Sequence, residues 1–558
     1  MTAQTDSMVA MLARHAAVLG PREAISMLDR QGRIAATDSY QALDEAARRI
    51  AAALRAEGLA GQPVLLAMEP GLDFVRCFLG CLYAGVYAVP VPAVWRRQAE
   101  ARLLAILEDA RPVAMLCSEG MEEAPGLPRR LTPAALLAAA PGGTVAGPAP
   151  EAPAFIQYSS GSTGDPKGIV VTHGNIMANQ AMIRRAFRHD AETRVVSWLP
   201  VHHDMGLIGS ILQPLHLGGA CLLMSPLSFL QRPARWLRAI AEHRATTSGA
   251  PNFAYEMCVR HVTPAEAEGL DLSSWRLAFC GSEPVRPETM RRFAARFAPH
   301  GFAAGALYPC YGLAEATLFV AGGMAGSGLA TAAFRREGIA ELAADAGRMR
   351  EITGCGHAWE DGACTILDGA GAALPEGSIG EIAVAGSHVT PGLWDAATGG
   401  VRPHEGRLLH RAGRSWLRTG DAGCIRDGQL HVVGRLKDII ILRGANIHAE
   451  DVERSVIEHP AAGCFAAVAA FAIEIDRQEE IALACELDRG ARAPDAATLE
   501  ALSRHVAKAH GVRPAVLAIA RAGALPRTTS GKVQRGRTRA AFLDGRLRMV
   551  EPPAAADG

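Results

Sequence analysis

Apolar positions in residues 40–58 recur at helical spacing: Leu43, Ala47, Ile50 and Leu54 fall on one face. Gly58 supplies a stop, so the pattern predicts an amphipathic helix. Residues 64–68 form a short apolar run that predicts a strand, residues 71–87 a second and more apolar helix, and residues 88–91 another strand. Alternation of this kind points to an α/β architecture with a largely parallel sheet. Further strands are expected at 155–158, 194–199, 277–280 and 305–308. Residues 379–385 and 430–433 read as an antiparallel, barrel-like subdomain. A separate rhythm follows near the C-terminus, with a helix at 450–458, a strand at 466–473 and a helix at 498–510, which predicts a small α+β domain. The Ala-, Pro- and Gly-rich residues 120–153 read as a connector.

Composition narrows the class of function. The 558 residues are 49% hydrophobic and 20% charged, with a formal net charge of +0. That balance suits a globular protein with a large core and lacks the basic footprint of a nucleic-acid binder. The 12 cysteines are scattered with no CxxC pair, as expected of reduced thiols in a cytoplasmic protein. The longest apolar stretches are broken by proline, histidine or glycine, short of the roughly 20 residues that a spanning helix needs.

The sharpest chemical signal is Ser159-Ser160-Gly161-Ser162-Thr163-Gly164-Asp165-Pro166-Lys167-Gly168, directly after the apolar run 155–158. Glycines let backbone N–H groups turn toward an anion, hydroxyls add donors, and Lys167 adds charge, a combination suited to a triphosphate. GxxxxGK[ST] occurs nowhere, so this is not a Walker loop. Residues 197–209 read SWLPVHHDMGLIG. Adjacent histidines rarely ligate one ion, and no third ligand accompanies them.

The ten-residue string resembles the phosphate loop of adenylate-forming enzymes: acyl-CoA synthetases, nonribosomal peptide synthetase adenylation domains, luciferases and fatty acyl-AMP ligases. Further motifs, at 197–209, 281–285, 311–317, 416–423, 434–438 and 525–535, follow in that family's order. The resemblance implies a large N-terminal domain of α/β sheets plus a barrel-like subdomain, and a small mobile α+β C-terminal domain. It implies boundaries of 1–434 for the first, 435–437 for a hinge at Lys437, and 438–558 for the second. It places His203 near the substrate carboxylate and Gly281-Ser282-Glu283-Pro284 beside adenine. Tyr311-Gly312 would meet the adenine face, Glu315 would hold Mg2+, and Thr317 would contact the α-phosphate. Asp421 and Arg435 would take the ribose, and Lys532 would bridge carboxylate and phosphate during adenylation. The cofactors implied are ATP and Mg2+.

Within that family the chain is most similar to the fatty acyl-AMP ligase branch. HHDMGLIG, the segment 71–92, the long stretch 323–353 and Asn446 all resemble that branch. The resemblance implies a fatty acid as substrate, a separate acyl carrier protein as acceptor, and poor use of CoA. An acyl-CoA synthetase sharing the first half-reaction is the alternative.

Overall fold

The computed structural model describes residues 7–93, 97–119, 126–143, 147–158, 166–335, 349–442, 445–475, 478–527, 531 and 533–550. The first expected helix forms as Tyr40–Ala56, with Ser39 capping its start and accepting from the Ala42 amide. Leu43, Ala47, Ile50 and Leu54 all point into the core. The second runs Leu72–Ala84 and stops at Gly85 in the left-handed region, so Tyr87 opens the following strand. These two helices cross closely. A Cβ at Gly80 would run into the Ile50 side chain, so only glycine fits there.

Two large sheets carry the N-terminal part. One has nine strands. Its central members are parallel, in the order Leu307–Gly312, Leu277–Cys280, Thr247–Ala250, Arg194–Ser197, Ala220–Leu223 and Glu23–Leu28. Antiparallel strands close both of its edges. The other has eight strands and a parallel centre that includes Pro63–Ala67, Tyr87–Val91 and Pro153–Tyr158. Strands such as Pro63–Ala67 and Ala220–Leu223 are continuous apolar runs buried along their whole length, as befits the centre of a parallel sheet. The barrel-like element is a five-stranded antiparallel sheet containing Gly380–Ala385, Arg414–Arg426 and Gln429–Arg435.

Near the C-terminus, Phe465–Ile475, Gln478–Leu487 and Val516–Ala520 form a three-stranded sheet. The helices Ala449–Ile457 and Ala496–His510 pack on it around Val452, Val456, Leu502 and Val506. The mixed α/β architecture therefore matches the expectation. Residues 120–153 differ from it: they contain a strand, Arg129–Leu131, and a short helix, Pro133–Leu137, started by proline after the capping Thr132. Their low hydrophobicity hid an edge strand that needs only one apolar face. None of the twelve cysteines forms a disulfide. Among the described residues no helix is long and apolar enough to cross a membrane.

Candidate functional site

Tyr311 sits at the end of the strand Leu307–Gly312, beside the parallel strand Leu277–Cys280. Ligands in open α/β sheets collect at the carboxyl ends of parallel strands. The barrel-like sheet supplies the other wall. Asp421 and Arg435 are register partners on its adjacent strands Arg414–Arg426 and Gln429–Arg435. Tyr311 Oη donates to Asp421 Oδ2 at 2.7 Å, and Arg435 Nε lies 3.3 Å from Asp421 Oδ1. Residues 110 apart in sequence thus meet in one buried cluster. Burial pushes the Asp421 carboxyl upward, against the opposing pull of Arg435 and Tyr311. Burial, and after it the Asp421 charge, lift the Tyr311 phenol well above its ordinary range.

The local sequence explains the placement of Asp421. Gly420 turns the chain with φ 76°, and the Glu381 carboxylate accepts from the Gly420 amide at 3.0 Å and from Arg418 Nε at 2.6 Å. Gly312 is equally constrained, since a Cβ there would collide with the Leu318 carbonyl.

Glu315 lies in the short 3-10 turn Ala314–Ala316. Burial alone would raise its carboxyl, but the Arg407 guanidinium, with Nη1 donating to Oε1 at 2.7 Å, holds it below the usual carboxylate range. Its carbonyl accepts from both the amide and the hydroxyl of Thr390, each at 2.9 Å. Thr317 follows with φ 67°, an uncommon conformation for a β-branched residue. It is fully buried, and its hydroxyl donates to the His388 carbonyl at 2.6 Å. That bond ties the turn carrying Thr317, the residue expected at the α-phosphate, to residue 388.

Gly281-Ser282-Glu283-Pro284 leaves the end of the strand Leu277–Cys280, with Ser282 and Pro284 exposed at the rim. The Glu283 carboxylate accepts from the Phe253 amide at 2.6 Å, in the first turn of the helix Asn252–His261. Acidic groups are favoured at such positions.

His203 comes after the strand Arg194–Ser197, its ring 4.5 Å from that of His202. Gln157, on the strand that precedes residue 159, donates to the His202 carbonyl at 2.8 Å. Asp204 caps the Met205 amide at 2.7 Å, and residues Met205–Leu212 form a π-helix. Such irregular turns are frequent at functional sites.

Ser159, Ser160, Gly161, Ser162, Thr163, Gly164 and Lys532 lie outside the described residues, as does the side chain of Lys437. Their flanks are placed. Tyr158 pairs with Gly168 across an antiparallel ladder, and Lys167 is exposed beside it. The backbone around residue 437 forms the 3-10 turn Leu436–Asp438, directly after the strand that carries Arg435. On either side of residue 532, Arg527 and Val533 form a β-bridge and the Gln534 amide donates to the Pro526 carbonyl at 2.8 Å. Arg407, Thr390 and His404 were not anticipated. Each is a single polar residue in an ordinary loop, and no local pattern marks it.

The AMP-binding enzyme signature matches residues 13–394 of this chain. The chain belongs to the AMP-binding enzyme family. Within it, the chain is 34% identical to the medium-chain-fatty-acid–[acyl-carrier-protein] ligase JamA of Moorena producens (strain JHB), over 94% of this chain and 93% of that protein. A solved structure from a study of fatty acyl-adenylate ligases from E. coli and L. pneumophila superposes with a TM-score of 0.85 at 30% identity, covering 98% of each chain. The L. pneumophila fatty acyl-adenylate ligase in complex with acyl adenylate and pyrophosphate superposes at 0.72 with 34% identity, covering 98% of this chain and 97% of that one. In this AMP-binding enzyme, the cluster of Tyr311, Asp421, Arg435 and Glu315 lies where the two walls of the N-terminal part meet.

Proposed function

We propose that this AMP-binding enzyme joins ATP and a fatty acid into an acyl-adenylate, releases pyrophosphate, and passes the acyl group to the thiol of a separate acyl carrier protein. The observation that carries this reading is the cluster in which buried Tyr311 and the more exposed Arg435 hold buried Asp421 beside Glu315. A carboxylate held between a phenol and a guanidinium can accept hydrogen bonds from ribose hydroxyls, and the phenol ring offers an apolar face to a base. The names of the relatives support the choice of a fatty acid and a carrier protein.

In the reaction, a carboxylate oxygen attacks the α-phosphorus, a P–O bond forms, and the bond to pyrophosphate breaks. No general base is needed, because the fatty acid is already ionised near neutral pH. The work of the protein is to bring two anions together, and fixed positive charge and oriented donors lower that barrier. Residues 159–168 and Lys532 supply those groups in this reading, with His203 near the carboxylate. Glu315 fits a magnesium site: its carboxylate is ionised, and Oε2 accepts no hydrogen bond from any other described residue. Bound Mg2+ would neutralise phosphate charge there.

The same reading divides the chain into residues 1–434, a hinge at 435–437 centred on Lys437, and a C-terminal domain at 438–558. Residues 323–353 limit rotation about that hinge and so disfavour CoA. The hairpin Thr331–Arg335 with Met349–Thr353 supports this, because it is fastened on two sides. Arg291 binds Glu351 at 2.7 Å, and Phe334 and Ile352 pack on Cys424 and Val433 of the sheet that leads to the hinge. The test is pyrophosphate release, measured with ATP, Mg2+ and a panel of fatty acids. Release that needs both ATP and a fatty acid is expected; release with amino or aryl acids but no fatty acid would overturn the substrate class.

A further inference from the structure

The two walls of the site come from distant stretches of chain, and Arg407 touches both. Its Nη1 donates to Glu315 Oε1 at 2.7 Å on one wall. Its Nε donates to the Arg418 carbonyl at 2.9 Å and its Nη2 to the Thr419 carbonyl at 3.2 Å, two residues before Asp421 on the other. The Arg418 amide returns a bond to the Arg407 carbonyl at 2.8 Å. A second route closes the same circle: the Arg407 amide donates to the His404 carbonyl at 3.1 Å, His404 Nε2 pairs with Thr390 Oγ1 at 2.9 Å, and the Thr390 amide donates to the Glu315 carbonyl at 2.9 Å. Glu315 is therefore held by its side chain and its backbone in one ring of contacts.

The planar fork of arginine suits this task, since it fixes several acceptors at once where an ammonium offers a point charge. Three of the five N–H groups are committed to named acceptors, so the guanidinium cannot swing away with the carboxylate. Arg407 engages Oε1 of Glu315, and no other described residue donates to Oε2.

We infer that Arg407 is a positioning residue for Glu315: it fixes the carboxylate with one oxygen occupied and leaves the other for the metal-bound triphosphate, while tying that end of the site to the strand that carries Asp421. This rests on the reading of Glu315 given above. It separates Arg407 from the groups that touch nucleotide, and it predicts a selective defect.

The test compares wild type with Arg407→Met, Arg407→Lys, Glu315→Gln and the double variant Arg407→Met/Glu315→Gln. Calorimetric titration reads the affinity for AMP, for ATP without metal, and for ATP with Mg2+. Arg407→Met is expected to cut the Mg2+-dependent gain in ATP affinity by about tenfold or more, the range for losing a charged hydrogen bond, while AMP affinity changes less than about twofold. Arg407→Lys recovers part of the gain, and the double variant loses no more than Glu315→Gln alone, because both changes act through one carboxylate. Equal losses of AMP and Mg2+-ATP affinity, an unchanged gain, or additive losses in the double variant would each overturn the inference. These titrations use no fatty acid, so a failure of the substrate reading above would leave their outcome separate.

Discussion

Arg535→Met is expected to destabilise the C-terminal domain by about 3–5 kcal/mol, the cost of removing one partner from a buried ion pair. Arg535 stands at the start of the helix Arg535–Leu543 and is 18% exposed. Its Nε and Nη2 grip the two oxygens of Glu453 at 2.6 and 2.7 Å, Nη1 binds Asp438 at 2.7 Å, and Glu450 lies 3.3 Å away. One cation thus bridges three carboxylates and lessens their mutual repulsion. Methionine would fill the space and leave those charges facing one another.

The defect should depend on pH in a defined direction. Burial raises the Glu453 carboxyl above its ordinary value even with Arg535 opposing it. Without Arg535 that rise grows. A carboxyl raised in the fold binds its proton more tightly there than in the unfolded chain, so its contribution to stability is lost as pH climbs above the carboxylate range. The gap between variant and wild type should therefore be wider at pH 8 than at pH 5. Scanning calorimetry at both pH values measures it. A C-terminal transition unmoved by the substitution would contradict the account.

Lys532→Ala is expected to slow adenylation by about 10²–10³, by analogy with removing one preorganised donor from a transition state. The fatty carboxylate and the triphosphate repel each other, and a cation between them acts most strongly as the new bond forms. ATP affinity should fall much less than the rate. The described flanks of this loop are clamped in a way that suits such a role. Glu486 accepts from the Leu525 amide at 2.8 Å and from Arg527 Nη2 at 2.7 Å, and Arg535 binds Asp438, next to residue 437. Single-turnover acyl-AMP formation alongside ATP titration distinguishes a loss of rate from a loss of binding. A variant with wild-type turnover would remove Lys532 from the mechanism.

Much of the scaffold was legible in the chain because its periodicities are clean. The helix Tyr40–Ala56 and the strand Pro153–Tyr158 follow directly from spacing and apolar runs. Boundaries shifted where a turn intervened: residues 305–308 were expected as a strand, but Ala304–Ala306 form a 3-10 turn and the strand is Leu307–Gly312. The run MGLIGSIL gave no sign of a π-helix, since its apolar residues satisfy several periods at once.

The candidate site divides in the same way. Tyr311, Glu315, Asp421 and Arg435 were singled out as candidates because they sit in recognisable strings, and the fold brings them together. Arg407 was not found, because its importance lies in contacts with Glu315, Arg418 and Thr419 that exist only after the chain folds. Thr317 was singled out by its place in the motif, whereas its burial and its bond to the His388 carbonyl emerge only from the fold.

The central claim is that this AMP-binding enzyme makes an acyl-adenylate destined for a carrier-protein thiol. Mass spectrometry of the products from enzyme, ATP, Mg2+ and a fatty-acid panel tests it most directly, with CoA in one arm and a phosphopantetheinylated acyl carrier protein in the other. The account predicts acyl-AMP in every arm, an acylated carrier protein, and CoA left unacylated. Efficient acyl-CoA formation would contradict it and would remove residues 323–353 as a restraint on the hinge.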